Sequence, residues 1–194
     1  MTKDSSVTPT PCPPLPELEH VETPRLILTA HTLADFACFL YEPARFAKRF
    51  DLANVPSPLD TETQDGLTRR YDASCRLDDD QLIWGNIWSV VTRDERLFVG
   101  VFCFKGIPEG RDAELAYYVE EPFRNRGYMT ETLRAVVGWA RGRDDVSGLT
   151  AETLLTNVAS QRALVKAGFK PYPNAPDSAA DSCWLRIDLK STPY

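Results

Sequence analysis

Residues 120 to 131 read Glu-Glu-Pro-Phe-Arg124-Asn-Arg126-Gly127-Tyr-Met129-Thr130-Glu, and an apolar stripe begins inside them. Met129, Leu133, Val136, Val137 and Ala140 follow the spacing of one helical face, so a helix starts near Gly127. The first N–H groups of a helix lack intrahelical partners, and the partial positive charge there favours an anion. Gly127 leaves that backbone uncovered, and Arg124 and Arg126 add charge. The segment reads as a phosphate cradle, the other reading being a helix start with solvated arginines. It has neither the Gly-x-x-x-x-Gly-Lys-Ser/Thr of a P-loop nor Gly-x-Gly-x-x-Gly, so a nucleoside triphosphate or NAD is not indicated.

Three other groups bear chemistry. On the apolar run Ala113 to Val119, alternation puts Glu114, Ala116 and Tyr118 on one face. Asn157 and Ser160 stand at the start of a second short helix, where each could also serve as a cap. Tyr117 and Tyr118 carry hydroxyls, although strand tyrosines usually pack. Trp84 and Trp88 could line a groove but read as core. Arg45, Lys48 and Arg49 read as a solvated loop, and Asp78, Asp79 and Asp80 as a hydrated turn instead of a metal site.

The rest of the composition narrows the field. The 194 residues carry 22 Lys and Arg against 28 Asp and Glu, a net charge of −6 without any basic run, which disfavours nucleic-acid binding. The longest strongly apolar stretch, Leu97 to Phe104, is far below the ~20 residues of a membrane span, and the N-terminus has no signal-peptide core. A soluble cytoplasmic protein is expected. The five cysteines are scattered without a C-x-x-C pair, which disfavours a disulfide framework or zinc ribbon. His20 and His31, the only histidines, sit in no catalytic or metal motif and read as surface or capping residues.

The elements that must hold these residues follow from pattern. Residues 1–20 contain Pro9, Pro11, Pro13, Pro14 and Pro16 and read as a flexible arm, with two P-x-x-P matches. Strands are expected over 25–29, 87–92, 97–104, 113–119, 149–155 and 183–189, with hairpin turns at Arg93–Arg96 and Pro108–Gly110. Helices are expected over 33–40 after an N-cap at Thr32, over about 61–74 with Leu67 and Tyr71 inward, after Pro122, and from about Val158 to a stop at Gly168. The segment from Arg45 to Asp60 reads as irregular.

Five parts of this chain, in order, resemble the GNAT superfamily of acyl-CoA-dependent N-acyltransferases, particularly its RimJ/RimL-type branch. They are Glu22-Thr-Pro-Arg-Leu-Ile-Leu28, Ala113-Glu-Leu-Ala-Tyr117, the Arg-x-x-Gly turn at 124 to 129, Gly127-Tyr-Met-Thr-Glu131, and Asn157-x-x-Ser160 through Lys166-Ala-Gly-Phe169. The resemblance runs from about Thr23 to Leu189. It implies one α/β domain over residues 21–194, with a mixed, mostly antiparallel sheet that splays open after its fourth strand and is flanked by helices.

The resemblance also implies acetyl-CoA as cosubstrate, its pantetheine arm pairing with the open strand edge near Val119. The diphosphate would rest on the backbone of Asn125, Arg126, Gly127, Tyr128, Met129 and Thr130, with charge from Arg124 and Arg126. The family pattern Gln/Arg-x-x-Gly-x-Gly/Ala ends in a small residue. Here Met129 departs from it, and its side chain can turn into the core. Acetyl would pass directly to a primary amine, a protein N-terminus or a small molecule, without a metal. Glu114 is then the candidate base, through water, and the Val119 N–H the oxyanion donor. Many relatives carry a tyrosine seven residues after the Asn, where this chain has Leu164. Ser160 is the nearest substitute for protonating the thiolate, while Asn157 would orient the cofactor arm. The missing tyrosine keeps open a second reading, a non-catalytic acyl-CoA-binding or regulatory module.

Overall fold

Alternating or continuous β-branched and aromatic runs form the strands of one sheet in the computed structural model, which describes residues 19–108, 111–173, 175 and 179–190. The strands are β1 (His20–Glu22), β2 (Leu26–Ala30), β3 (Ile87–Thr92), β4 (Phe98–Phe104), β5 (Asp112–Val119), β6 (Gly148–Leu154), β7 (Lys170–Pro171) and β8 (Ser182–Asp188). Their order is β1-β2-β3-β4-β5-β6-β8-β7. Neighbours are antiparallel except β5 and β6, which are parallel. This is the expected mixed α/β sheet. Short strands β1 and β7 lacked a legible pattern.

Helices cover both faces. On one lie α1 (Leu33–Tyr41), α2 (Pro43–Arg49) and α3 (Thr61–Ser74), whose Phe36, Phe39, Phe46 and Leu67 bury against Ile87, Phe98, Val101 and Cys103. On the other lie α4 (Tyr128–Arg141) and α5 (Val158–Lys166), packing Met129, Leu133, Val136 and Leu164 among Leu28, Val90, Leu115 and Leu149. The stripe expected on α4 is the buried stripe, and Trp84 and Trp88 are core.

β4 is buried along its whole length and is irregular. Val90 pairs with Gly100 but Val91 with Phe98, so Val99 is the extra residue of a bulge. The alternation inverts there, with Phe98, Val101 and Cys103 on the α1 face and Val99, Phe102 and Phe104 on the α4 face. Gly100 sits opposite Val119, where a Cβ would lie 2.1 Å from the Tyr118 carbonyl oxygen. Only glycine lets β4 approach the end of β5 that closely.

Two expectations are corrected here. Residues Arg45 to Arg49 are helical: Pro43 ends α1 and serves as an early residue of α2, where its fixed φ and missing N–H cost nothing. Accordingly Arg45 and Arg49 are not a solvated loop. Arg45 pairs with Glu42, while Arg49 Nε meets Asp35 at 2.7 Å, an aspartate only 2% exposed that also completes the Thr32 capping box. Asp78 likewise caps the 3-10 turn Asp79–Trp84. The proline-rich arm, its P-x-x-P matches and part of the Pro108–Gly110 turn lie outside the described residues. His20, the arm's expected last residue, is exposed within β1.

His31 is the second correction. It is 3% exposed, its Nε2 lies 2.8 Å from Ser89 Oγ, and the rings of Phe46 and Phe50 pack edge-on against it. Burial, partly offset by Asp35 and reinforced by Arg49, pushes its pKa down from 6.5 to about 4. The unfolded chain therefore binds a proton near pH 6.5 that the native state resists until about pH 4. Stability falls as pH drops through this window, by roughly 3 kcal/mol in all. Urea unfolding of the wild type and His31→Gln from pH 7 to 4 should show the variant losing less stability, and parallel curves would refute the assignment.

Candidate active site

The sheet opens where β5 and β6 part. They pair only at Asp112–Gly148, Ala113–Leu149 and Glu114–Thr150, yet β5 runs on to Val119 and β6 to Leu154. Each outer neighbour keeps its partner, Val119 opposite Gly100 and Leu154 opposite Ser182, so the separation is a wedge inside the sheet. The Glu114 carbonyl accepts from Lys105 N and the Glu120 N–H donates to Val99 O. Even-numbered residues thus turn their backbone to β4, and Tyr117 and Val119 turn theirs into the wedge. Arg124 Nε reaches back to the Val119 carbonyl at 3.0 Å. Backbone amides left open this way accept an extended, amide-bearing chain as an added strand.

At the wide end of the wedge stands the N-terminus of α4. Asn125 (φ 61°) and Gly127 (φ 79°) both adopt left-handed backbone, and Gly127 is the N-cap, without any side-chain cap. Among the described residues no backbone N–H from Asn125 to Thr130 donates to a protein acceptor. Successive N–H groups in mixed right- and left-handed conformation form a concave anion nest. Arg124, Asn125, Arg126 and Gly127 are exposed, Tyr128 and Thr130 partly so, and Met129 points into the core as expected. The donors suit a diphosphate and the wedge suits an amide-bearing arm, so the residues present fit coenzyme A.

Sequence reasoning missed a third arginine at this place. Arg25, at the foot of β2, donates from Nε to Glu131 Oε2 at 2.6 Å and from Nη1 to the Arg126 carbonyl at 3.1 Å. Its guanidinium stacks over the Tyr128 ring at 4.6 Å. Glu131 also accepts from Thr23 Oγ1 at 2.6 Å and from the Arg25 N–H at 3.0 Å. Burial alone would raise the Glu131 carboxyl, but the hydrogen bonds from Thr23 and Arg25 hold it below the usual carboxylate range.

Beside the wedge, on its α5 face, two hydroxyls meet. Tyr117 Oη lies 2.7 Å from Ser160 Oγ, and burial raises the tyrosine's pKa against the opposing effect of that bond, which keeps the phenol protonated. Asn157 caps α5, its Oδ1 accepting from the Ser160 N–H at 3.1 Å. Leu164 is core.

The acidic candidates lie on the opposite face of β5. Glu114 is ion-paired with Lys105 at the closed vertex. Val119 lies five positions further along the strand, roughly 17 Å away, so Glu114 reaches the open end only through water. Glu120, unassigned by the sequence reading, is 2% exposed and accepts from Ser57 N at 2.6 Å and Ser57 Oγ at 3.2 Å. Burial raises its pKa in spite of those bonds. Period-two spacing from Glu114 was the signal that could have found it. Among the described residues no three His, Cys, Asp or Glu side chains converge as metal ligands, and no helix is long and apolar enough to cross a membrane.

Comparison with known proteins adds the family. A profile described as an acetyltransferase (GNAT) domain matches residues 25–170. Over 83 residues the chain is 34% identical to the uncharacterized N-acetyltransferase YjdG of Bacillus subtilis (strain 168), a match covering 42% of this chain and 49% of YjdG. It therefore spans about half the length of that relative. Among solved structures, RimL, the ribosomal L7/L12 α-N-protein acetyltransferase in complex with coenzyme A, superposes with a TM-score of 0.60 at 16% identity, covering 88% of this chain and 98% of RimL. The ribosomal-protein-S5-alanine acetyltransferase of Vibrio fischeri does so with a TM-score of 0.60 at 14% identity, covering 89% and 97% of the two chains. At such identities the superpositions speak for the fold alone, whereas the profile match extends over most of the chain, from the Arg25 strand through the wedge to β7: this protein belongs to the GNAT acetyltransferase family.

Proposed function

We propose that the protein transfers acetyl from acetyl-CoA to a primary amine, and that the acceptor to test first is the N-terminal α-amine of a protein. The observation that carries the reading is the placement of a phosphate nest at the open end of the same strand whose edge amides face the wedge. GNAT acetyltransferases use acetyl-CoA, and two fold neighbours are named for acetylating ribosomal proteins, which supports a peptide amine over a small one.

The residues divide the work by position. The diphosphate is held on the N–H groups of Asn125 to Thr130, with Arg124 and Arg126 supplying charge. An arm leaving that nest passes Val119 before it reaches Ser160, so the Val119 N–H pairs with an arm amide. We assign the oxyanion role to the Tyr117 N–H, two residues deeper on the same open edge and on the residue whose phenol meets Ser160, a contribution of about 3 kcal/mol. A neutral amine attacks the thioester carbonyl from the α1 face. The C–S bond then breaks, the thiolate takes a proton from the Ser160–Tyr117 hydroxyl pair, and the proton that the nitrogen sheds on becoming an amide returns to that pair, leaving the phenol protonated again. Asn157 fixes the first turn of α5 through its Oδ1 and orients the cofactor arm through its amide nitrogen.

The ammonium proton must go to a base on the α1 face. Glu114 is assigned that role through water, three residues from Tyr117. Glu114→Gln is expected to lower kcat at least tenfold while leaving CoA affinity within twofold. An unchanged rate at saturating amine removes Glu114 and transfers the assignment to Glu120, which lies three residues from Tyr117 in the other direction.

The test of the whole reading is incubation with acetyl-CoA and a panel of peptides and small amines, following thiol release and CoA affinity. Release with a peptide amine is the expected result. Binding without release under any acceptor would favour the non-catalytic module, and no binding would end the reading altogether.

A further inference from the structure

We infer that Arg25 is a third phosphate-binding arginine of this site, delivered to the nest from the N-terminal strand by Glu131. The inference rests on the acetyl-CoA reading and concerns which residues hold the diphosphate end. Three contacts set the guanidinium plane: Nε on Glu131 Oε2 at 2.6 Å, Nη1 on the Arg126 carbonyl at 3.1 Å, and the face of Tyr128 at 4.6 Å. These leave Nη2, which has no protein acceptor among the described residues. It lies beside the nest, 3.6 Å from where a Cβ on Gly127 would stand.

A surface arginine whose only task was an ion pair would have no need of this arrangement. Exposed pairs contribute little, and this side chain is 48% exposed. Here two of its nitrogens are spent on fixing its direction, one of them on the carbonyl of the residue just before the N-cap. Glutamate in the first turn of α4 would by itself repel a diphosphate. With both oxygens occupied by Thr23 and Arg25, its charge is spent inside the protein, and the guanidinium presents its remaining edge outward. A planar guanidinium with one edge free matches a phosphate oxygen better than a mobile lysine, because its direction is already set.

The test is calorimetric binding of CoA, and of an acetyl-pantetheine probe lacking the diphosphate, to the full-length wild type, Arg25→Gln, Arg25→Lys and the double variant Arg25→Gln with Glu131→Gln. Arg25→Gln should weaken CoA about tenfold and leave acetyl-pantetheine affinity within twofold. The lysine variant keeps the charge without the fork and should lose about threefold, which serves as the reading if the glutamine variant does not fold. The double variant should stay as weak as the single one. Affinity for CoA within twofold of wild type, equal loss toward the diphosphate-free probe, or recovery in the double variant would each overturn the proposal, the last because it would leave Arg25 only the task of neutralising Glu131. If the wild type itself binds no CoA, the acetyl-CoA reading fails first.

Discussion

Gly127→Glu should weaken CoA binding at least a hundredfold while the protein stays folded. Gly127 holds φ 79° at the N-cap of α4, and a side chain there is strained by about 1 kcal/mol. A carboxylate at a helix N-terminus recovers some of that through the partial charge of the helix, typically 0.3–1 kcal/mol. The stability change is thus small. Binding is different, because the new carboxylate competes for the N–H groups of Tyr128 to Thr130 and repels the diphosphate. Gly127→Ala separates the two effects: it carries the same backbone strain without charge and should cost less than tenfold. The measurement is CoA affinity alongside the urea midpoint for both variants. Wild-type affinity in the glutamate variant would show that no phosphate rests on this turn.

Gly100→Ala carries the largest expected effect on the fold. The added methyl would sit 2.1 Å from the Tyr118 carbonyl oxygen and 3.1 Å from the Tyr118 carbonyl carbon and the Val119 Cα, all backbone atoms of the neighbouring strand. No rotamer change relieves this, so β4 and β5 must separate at the bulge. Forced overpacking of a core costs about 1–3 kcal/mol, and lost ladder bonds raise that, so a fall of about 3 kcal/mol or more is expected. For a chain of this size that is on the order of 10 °C in the melting temperature. The same displacement moves Val119 and Tyr117, so CoA affinity should fall in the fraction that folds. A thermal melt unchanged from wild type would mean that the two strands are not this close. The two glycine variants also discriminate between causes, since one should lose binding without stability and the other both together.

What could be read directly from residue order was local. The amphipathic stripe of α4, the Thr32 cap, the β3–β4 hairpin and the arginine-flanked turn before Gly127 each depend on neighbours a few positions away, and each stands in the fold as expected. Pro43 shows the limit, because one proline can both end a helix and begin the next, and the burial of Phe46 against Phe98 decided which.

Pairings distant in sequence left no such trace. Tyr117 meets Ser160 across 43 positions, and Arg25 meets Glu131 across 106, because the sheet order sets β5 beside β6 and β2 below α4. Tyr117 read as packing, and Arg25 as part of a strand's opening. His31 read as surface or capping, yet it is buried with Phe46 of α2 packed against its ring, and that burial pushes its pKa down. Composition and short-range spacing therefore determined most of the elements and set the arginine-flanked turn at a helix start. Only the closing of the sheet decided which side chains share the wedge, since desolvation, strand divergence and cross-sheet hydrogen bonds exist only after distant segments have packed.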